Sequence, residues 1–287
     1  MLTLLFDGIA YGMLLFVLAV GLAVTLGLMN FINLAHGAFA MAGGYITVLL
    51  MNRFGVPFLL CLPLAFLGAA AIGALLEPLL YRRMYAKPHL DQVLFSIGLV
   101  FMAVTAVDYF VGGSQQNIEL PAWLRGRFDI EWVGIGKYRL FIIVVCAALT
   151  FGLQAILTRT RFGAQLRAAV DDPRVAGGLG LNVNRIFLLT FAVGSGLAGL
   201  GGALGAEVLG LDPTFPLKFL IYFLIVCSVG GTTTITGPLL AALLLGIADV
   251  AGKYYLPKLG AFIVYTLMIV ILMLRPQGLF ARAGGGK

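Results

Sequence analysis

Asn30, Asn33, His36 and Gly37 form a small polar cluster at the end of the first apolar stretch of the sequence. Amide and imidazole groups donate and accept hydrogen bonds, and at membrane depth they persist only where protein or a water-filled cavity satisfies them. The cluster therefore indicates an interrupted helix whose polar groups line a solute path. The alternative is an ordinary turn between two spans, with the Asn side chains as helix caps.

A second polar cluster lies between Val229 and Pro238 and carries four threonines: Thr232, Thr233, Thr234 and Thr236. Threonine hydroxyls can satisfy a broken backbone, and proline is favoured in the first turn of a helix. This cluster predicts a flexible gate or a further part of the path lining. A threonine-capped loop between two helices is the alternative.

Catalytic and nucleotide-binding motifs are absent from the sequence, which has no phosphate loop, no His-Glu-x-x-His and no Gly-x-Ser-x-Gly. Only two histidines are present, so no zinc site can be assembled. The chain is therefore predicted to be neither an enzyme nor a metal or cofactor protein. If the chain drives uphill transport, the energy must come from a partner or an ion gradient, and the scarcity of buried acids counts against the gradient.

The composition indicates an all-α polytopic membrane protein forming one transmembrane domain over residues 1–287. Hydrophobic residues make up 61% of the chain and charged residues 11%, whereas about a quarter of a soluble domain is charged. The net charge of +7 is scattered among the spans, which favours a role in membrane orientation over nucleic-acid binding. Nine apolar stretches approach the length of a span: 2–28, 34–52, 56–80, 91–112, 139–158, 185–208, 217–231, 236–252 and 259–275. The seventh and eighth are short, so eight spans is the alternative.

The distribution of basic residues predicts the orientation of the chain. With nine spans, eleven of the 19 Lys and Arg residues lie on one side, which the positive-inside rule makes cytoplasmic. The N-terminus is then outside and the C-terminus inside, and two groups of four spans start on opposite sides, as in an inverted repeat. Residues 113–138 are predicted to form an external loop or re-entrant segment with a short helix, carrying both tryptophans, Trp123 and Trp132.

A polar, basic insert over residues 159–184 interrupts the apolar pattern. Residues 163–170 can form two helical turns, and Asp172-Pro173 fits an N-cap followed by proline at the first helical position. Such a helix pair suits a groove in a cytoplasmic partner. The alternative is a positive-inside anchor, a loop whose basic residues only fix the orientation of the chain in the membrane. The residues assigned to this contact are Arg161, Gly163, Leu166, Arg167, Asp171, Asp172, Pro173 and Arg174. Leu166, Val170, Val175 and Leu179 supply the apolar side of the pair.

Small residues recur at helical spacing in two predicted spans: Gly194, Ala198, Gly202 and Ala206, and Ala65, Ala69 and Gly73. These stripes predict close helix packing within the chain rather than against a partner. Two ion pairs are also expected, between Asp249 and Lys253 and between Glu77 and the arginines that follow it.

Four stretches resemble the permease subunits of bacterial branched-chain amino acid ABC importers, the LivH-like family. They are NFINLAHGAFAMAGGY, the insert continuing to GLAGLGGAL, VGGTTTITGP and RPQGLF, and they occur in family order over nearly the whole chain. Two positions depart from the family pattern, Ala38 where an acidic residue is common and Thr232 or Thr233 where a glycine is common.

The resemblance implies the inverted-repeat ABC importer fold in the bacterial inner membrane. It implies a coupling role for residues 159–184, a second related permease subunit, two ATP-binding subunits and a periplasmic substrate-binding protein. Replacing Arg167 or the Asp171–Pro173 joint should then abolish ATP-driven uptake without preventing membrane insertion. Relatives also carry urea, amides and aromatic acids, so the same mechanism with such a substrate stays open. A self-contained channel or gradient-driven carrier for a small neutral solute is the rival class.

Overall fold

A computed structural model of the chain describes residues 1–29, 31–130, 133–231, 234–275 and 278. Its long helices are α1 Leu2–Met29, α2 His36–Phe54, α3 Phe58–Leu79, α4 His89–Val111, α5 Lys137–Arg159, α8 Val183–Leu209, α9 Phe215–Gly230, α10 Thr236–Tyr255 and α11 Gly260–Leu274. Two short helices, α6 Arg161–Asp171 and α7 Pro173–Gly178, lie between α5 and α8. Each long helix falls within a few residues of a predicted apolar stretch.

Six helices in the described part of the chain are long and apolar enough to cross a membrane: α1, α3, α4, α5, α8 and α10. Two more, α9 and α11, are apolar but shorter. The chain is therefore a polytopic helical membrane protein, and the count of nine spans stays a prediction.

Helix α8 lies at the centre of the molecule, and its small residues let the neighbouring helices approach. A Cβ on Gly202 would collide with the carbonyl oxygen of Ala40 in α2, and one on Gly199 would collide with the Cβ of Ala69 in α3. Gly73 of α3 packs against Ser195 of α8 in the same way. Close approach gives van der Waals packing where the hydrophobic effect is weak, and the prediction that both stripes pack within the chain is confirmed.

The segment between α4 and α5 differs from the predicted helix. Its described part holds a single 3-10 turn, Ala122–Leu124, and an antiparallel hairpin of β1 Arg127–Ile130 and β2 Val133–Gly136. Phe128 and Ile130, and again Val133 and Ile135, follow the strand-like period of two, which explains a hairpin in place of the predicted helix. Trp123 is half-exposed and packs edge-on against Phe141 at 6.1 Å, while Trp132 lies outside the described residues.

Both expected ion pairs are present. Lys253 Nζ lies 2.6 Å from Asp249 Oδ2, and Arg82 Nη2 lies 2.8 Å from the buried Glu77 Oε2. The hydrogen bonds to Glu77 raise the pKa of Arg82 above its ordinary value. Each pair places a basic group beside a buried carboxyl group, where an unpaired charge would be costly.

Candidate functional site: the α1–α2 break and the α6–α7 pair

After α1 the chain turns back along that helix, so that α2 does not begin beside the end of α1. His36, the first residue of α2, donates a hydrogen bond from Nε2 to the carbonyl oxygen of Leu18 at 2.8 Å. Since a carbonyl only accepts, the proton is on Nε2. Leu18 lies near the middle of α1, about 16 Å of helix before Met29. Helix α2 therefore begins beside the middle of α1.

The polar residues of this break are engaged with the protein. Asn33 is buried, and its Oδ1 accepts a hydrogen bond from the hydroxyl of Tyr81 at 3.3 Å. Gly37 packs against Pro216, the second residue of α9, and a Cβ there would lie 3.0 Å from the Pro216 Cα. Two helix starts thus meet at the break. Asn30 lies outside the described residues.

An aromatic cluster encloses the break, and the sequence reading missed it. Phe31 packs edge-on against Tyr81 at 5.6 Å and Tyr85 at 5.4 Å. Tyr85 contacts Phe187 at 5.9 Å, and Tyr81 contacts Phe191 at 4.5 Å. Phe187 and Phe191 belong to the first turns of α8, directly after the α6–α7 pair. The cluster therefore links the break to the helix that follows the insert.

Hydrogen bonds hold the same region together. The backbone amide of Ile32 donates to Gln92 Oε1 at 3.1 Å, and the Tyr85 hydroxyl donates to Glu77 Oε1 at 3.2 Å. Burial and the negative charge of Glu77 raise the pKa of Tyr85, which stays a neutral donor. Hydrogen bonds from the end of α3, the segment between α3 and α4, and the start of α4 thus hold the α1–α2 break and its aromatic cluster in place.

The threonine cluster before α10 acts at least in part as a cap. Thr234 Oγ1 accepts a hydrogen bond from the backbone amide of Gly237 at 3.3 Å and contacts the hydroxyl of Thr236 at the same distance. Gly230 packs against Pro238, where a Cβ would meet the proline nitrogen. Thr232 and Thr233 lie outside the described residues. For Thr234 the geometry is that of the capped-loop alternative, while a path-lining role stays a prediction.

The α6–α7 pair has the joint that the sequence predicts. Asp172 Oδ1 accepts hydrogen bonds from the backbone amides of Arg174 at 2.9 Å and Val175 at 3.0 Å, and Pro173 occupies the first turn of α7. At the start of α6, Thr160 Oγ1 accepts from the amide of Gly163 at 3.3 Å. Both helices are therefore capped by side chains in the manner short helices need.

One face of α6 is fixed to the rest of the chain. Leu166 and Ala169 are buried against Ile186 of α8. Gly163 approaches the backbone of Leu157 so closely that any side chain would collide with it, and Arg167 donates to the Leu157 carbonyl oxygen. The expectation that Leu166 faces a partner is wrong, because this side chain holds α6 against α5 and α8.

The opposite face of the pair is exposed to solvent. Val175 and Leu179 are 57% and 77% exposed, although both are apolar. Arg161, Asp171 and Arg174 in the same two helices are also exposed. We call these five residues the insert surface. It combines exposed apolar side chains with charge, the composition of a partner-binding site.

Replacing Asp172 with alanine should loosen α7 without unfolding the protein. The two amide hydrogen bonds would be lost, at a cost of about 1 kcal/mol. Hydrogen exchange of the α7 amides should become about fivefold faster, while the melting temperature of the whole chain stays unchanged. Asp172→Asn keeps an acceptor and should exchange like the wild type, and equal acceleration in both variants would contradict the capping role.

The family model for the branched-chain amino acid transport system permease component matches residues 4–272. The chain belongs to this family. The matched region contains the break, the threonine cluster, the aromatic cluster and the α6–α7 pair. The family resemblance is thus confirmed over almost the entire chain, including three of the four stretches, while RPQGLF lies after the matched residues.

Three relatives are each similar to this chain over at least 93% of its length. The high-affinity branched-chain amino acid transport permease BraD of Pseudomonas aeruginosa is 28% identical over 97% of this chain and 95% of its own. LivH of Escherichia coli is 26% identical over 97% and 94%. LivM of the same organism is 26% identical over 93% of this chain and 68% of its own. No solved structure matches this chain.

Proposed function

We propose that this chain is the permease subunit of a binding-protein-dependent ABC importer for branched-chain or other hydrophobic amino acids. The insert surface is the observation that carries the proposal, because it is exposed, partly apolar and lies on a helix pair that packs against the central helix α8. Its partner would be an ATP-binding subunit. The complete importer would contain two such subunits, a second related permease and a periplasmic substrate-binding protein, with ATP bound by the partners alone.

The proposed arrangement is nine crossings in the bacterial inner membrane, with the N-terminus outside, the C-terminus cytoplasmic and an inverted repeat. Contacts between distant segments support it, since they join ends placed on the same side. The Gln116 amide donates to the Leu211 carbonyl at 2.7 Å, and Asp7 pairs with Arg139. Both contacts lie on the side proposed as external.

The proposed solute path runs past the α1–α2 break, with Asn30, Asn33, His36 and Gly37, and past the cluster of Thr232, Thr233, Thr234 and Thr236. The start of α2 beside the middle of α1 supports this, because polar groups of a broken helix there lie at membrane depth. A displacement of the α6–α7 pair would be transmitted to the α1–α2 break through α8 and the aromatic cluster.

Reconstitution tests the proposal against the rival channel or gradient-driven carrier. Proteoliposomes holding the full set of partners should take up labelled L-leucine only with hydrolysable ATP and the binding protein. This chain alone should give no flux of leucine or urea above empty liposomes. Flux through the chain alone would favour the rival, and ATP-driven uptake of urea but not leucine would keep the mechanism and change the substrate.

A further inference from the structure

A recess of about 490 Å³ opens where the start of α1, the start of α5, the end of α8 and the β1–β2 hairpin meet. This volume lies in the usual range for small-molecule sites. Its charged lining residues carry both signs: Asp7, Arg125, Arg127, Arg139 and Glu207. We call it the charged recess, and in the proposed topology it faces the side from which substrate arrives.

Some of these charges are already partnered, and others are available. Asp7 Oδ2 pairs with Arg139, and Arg125 lies 3.3 Å from Glu119 Oε2. Among the described residues, Arg127 and Glu207 make no ion pair. The carboxylate oxygen Asp7 Oδ1 is buried and has no hydrogen-bond partner among the described residues. One cation, Arg127, and one carboxylate, Glu207, are thus left for a ligand.

Part of the remaining wall is apolar. Leu120, Leu124 and Val208 line the recess beside the charges, and Leu124 is buried. A small molecule with one positive group, one negative group and an apolar body would therefore match all three parts of the lining.

We infer that the charged recess binds an α-amino acid as its zwitterion before translocation. The carboxylate of the ligand pairs with the guanidinium of Arg127, its ammonium group pairs with the carboxylate of Glu207, and its side chain packs on the apolar part of the wall. Bidentate contact with arginine is the strong mode for a carboxylate. The inference rests on the proposed function and deepens it by giving the substrate a site on this chain.

A concave shape and closely mixed charges favour a small zwitterion over a docked protein. Electrostatic complementarity between proteins commonly sets a patch of one sign against a patch of the other. Here both signs line one small cavity, an arrangement that suits a ligand carrying one positive and one negative group.

Ligand binding to the full-length chain in nanodiscs tests this inference. L-leucine should bind, while leucinamide, which lacks the carboxylate, and 4-methylpentanoate, which lacks the amine, should each bind at least about tenfold more weakly. Arg127→Gln and Glu207→Gln should weaken leucine binding by a similar factor. Lys258→Gln removes an exposed cation outside the recess and should bind leucine like the wild type.

The outcomes separate this inference from the proposed function. Wild-type leucine affinity in both recess variants would overturn the zwitterion site, and so would weaker association with the binding protein at unchanged leucine affinity. The proposed function would still stand in either case if the assembled transporter takes up leucine with ATP. If the assembled wild-type transporter moves no amino acid, the proposed function itself fails.

Discussion

Replacing Val175 and Leu179 together with aspartate is expected to abolish ATP-driven uptake while leaving the folded chain in the membrane. Both side chains are exposed and apolar, so in the isolated chain their loss should change the free energy of unfolding by no more than about 0.5 kcal/mol. Against a partner, two buried charges would face an apolar groove without compensation. Uptake should fall at least tenfold, since anchors of an interface contribute about 2 kcal/mol or more.

A matched control uses the other end of the molecule. Leu256 and Leu259 are also half-exposed, at 51% and 53%, and lie in the α10–α11 connection on the side proposed as external. The double aspartate variant there adds the same charge and should keep ATP-driven uptake. Loss of uptake in both variants, or in neither, would contradict a specific role for the insert surface. Melting temperatures of all three proteins should agree.

Gly202→Val is expected to prevent folding. The new Cβ would collide with the Ala40 carbonyl where α2 crosses α8, and a backbone contact cannot yield as a flexible side chain does. Overpacking of this kind costs about 3 kcal/mol or more, a large part of the stability of a domain. The measurements are the yield of monodisperse protein and its melting temperature.

Gly152→Val provides the comparison for this variant. Gly152 lies in the interior of α5, is exposed, and a Cβ there meets nothing within 4 Å. The same substitution should be tolerated at this position, with a yield and a melting temperature close to those of the wild type. A normal yield from Gly202→Val would show that α2 and α8 do not meet at this point.

Local patterns in the sequence predicted those features that depend on neighbouring residues. The Asp172-Pro173 joint is a capping rule that acts over three residues, and the stripe on α8 follows helical spacing. Apolar length located the helices because a helix satisfies its own backbone in lipid.

Features built from distant residues could not be predicted in this way. Phe31, Tyr81, Tyr85 and Phe187 meet only after folding, so their cluster leaves no local pattern. The inward orientation of Leu166 depends on Ile186, twenty residues later, and from local sequence alone the same helix could have been rotated outward. The charged recess brings Asp7, Arg127 and Glu207 together from three separate segments.

Photo-crosslinking from position 175 tests the central claim most directly. A photoreactive amino acid at this position, in the assembled transporter, should give an adduct with the mass of this chain plus one ATP-binding subunit. The same group at position 256 should give no such adduct. An ATP-binding subunit captured from position 256 and not from position 175 would contradict both the insert surface and the proposed orientation.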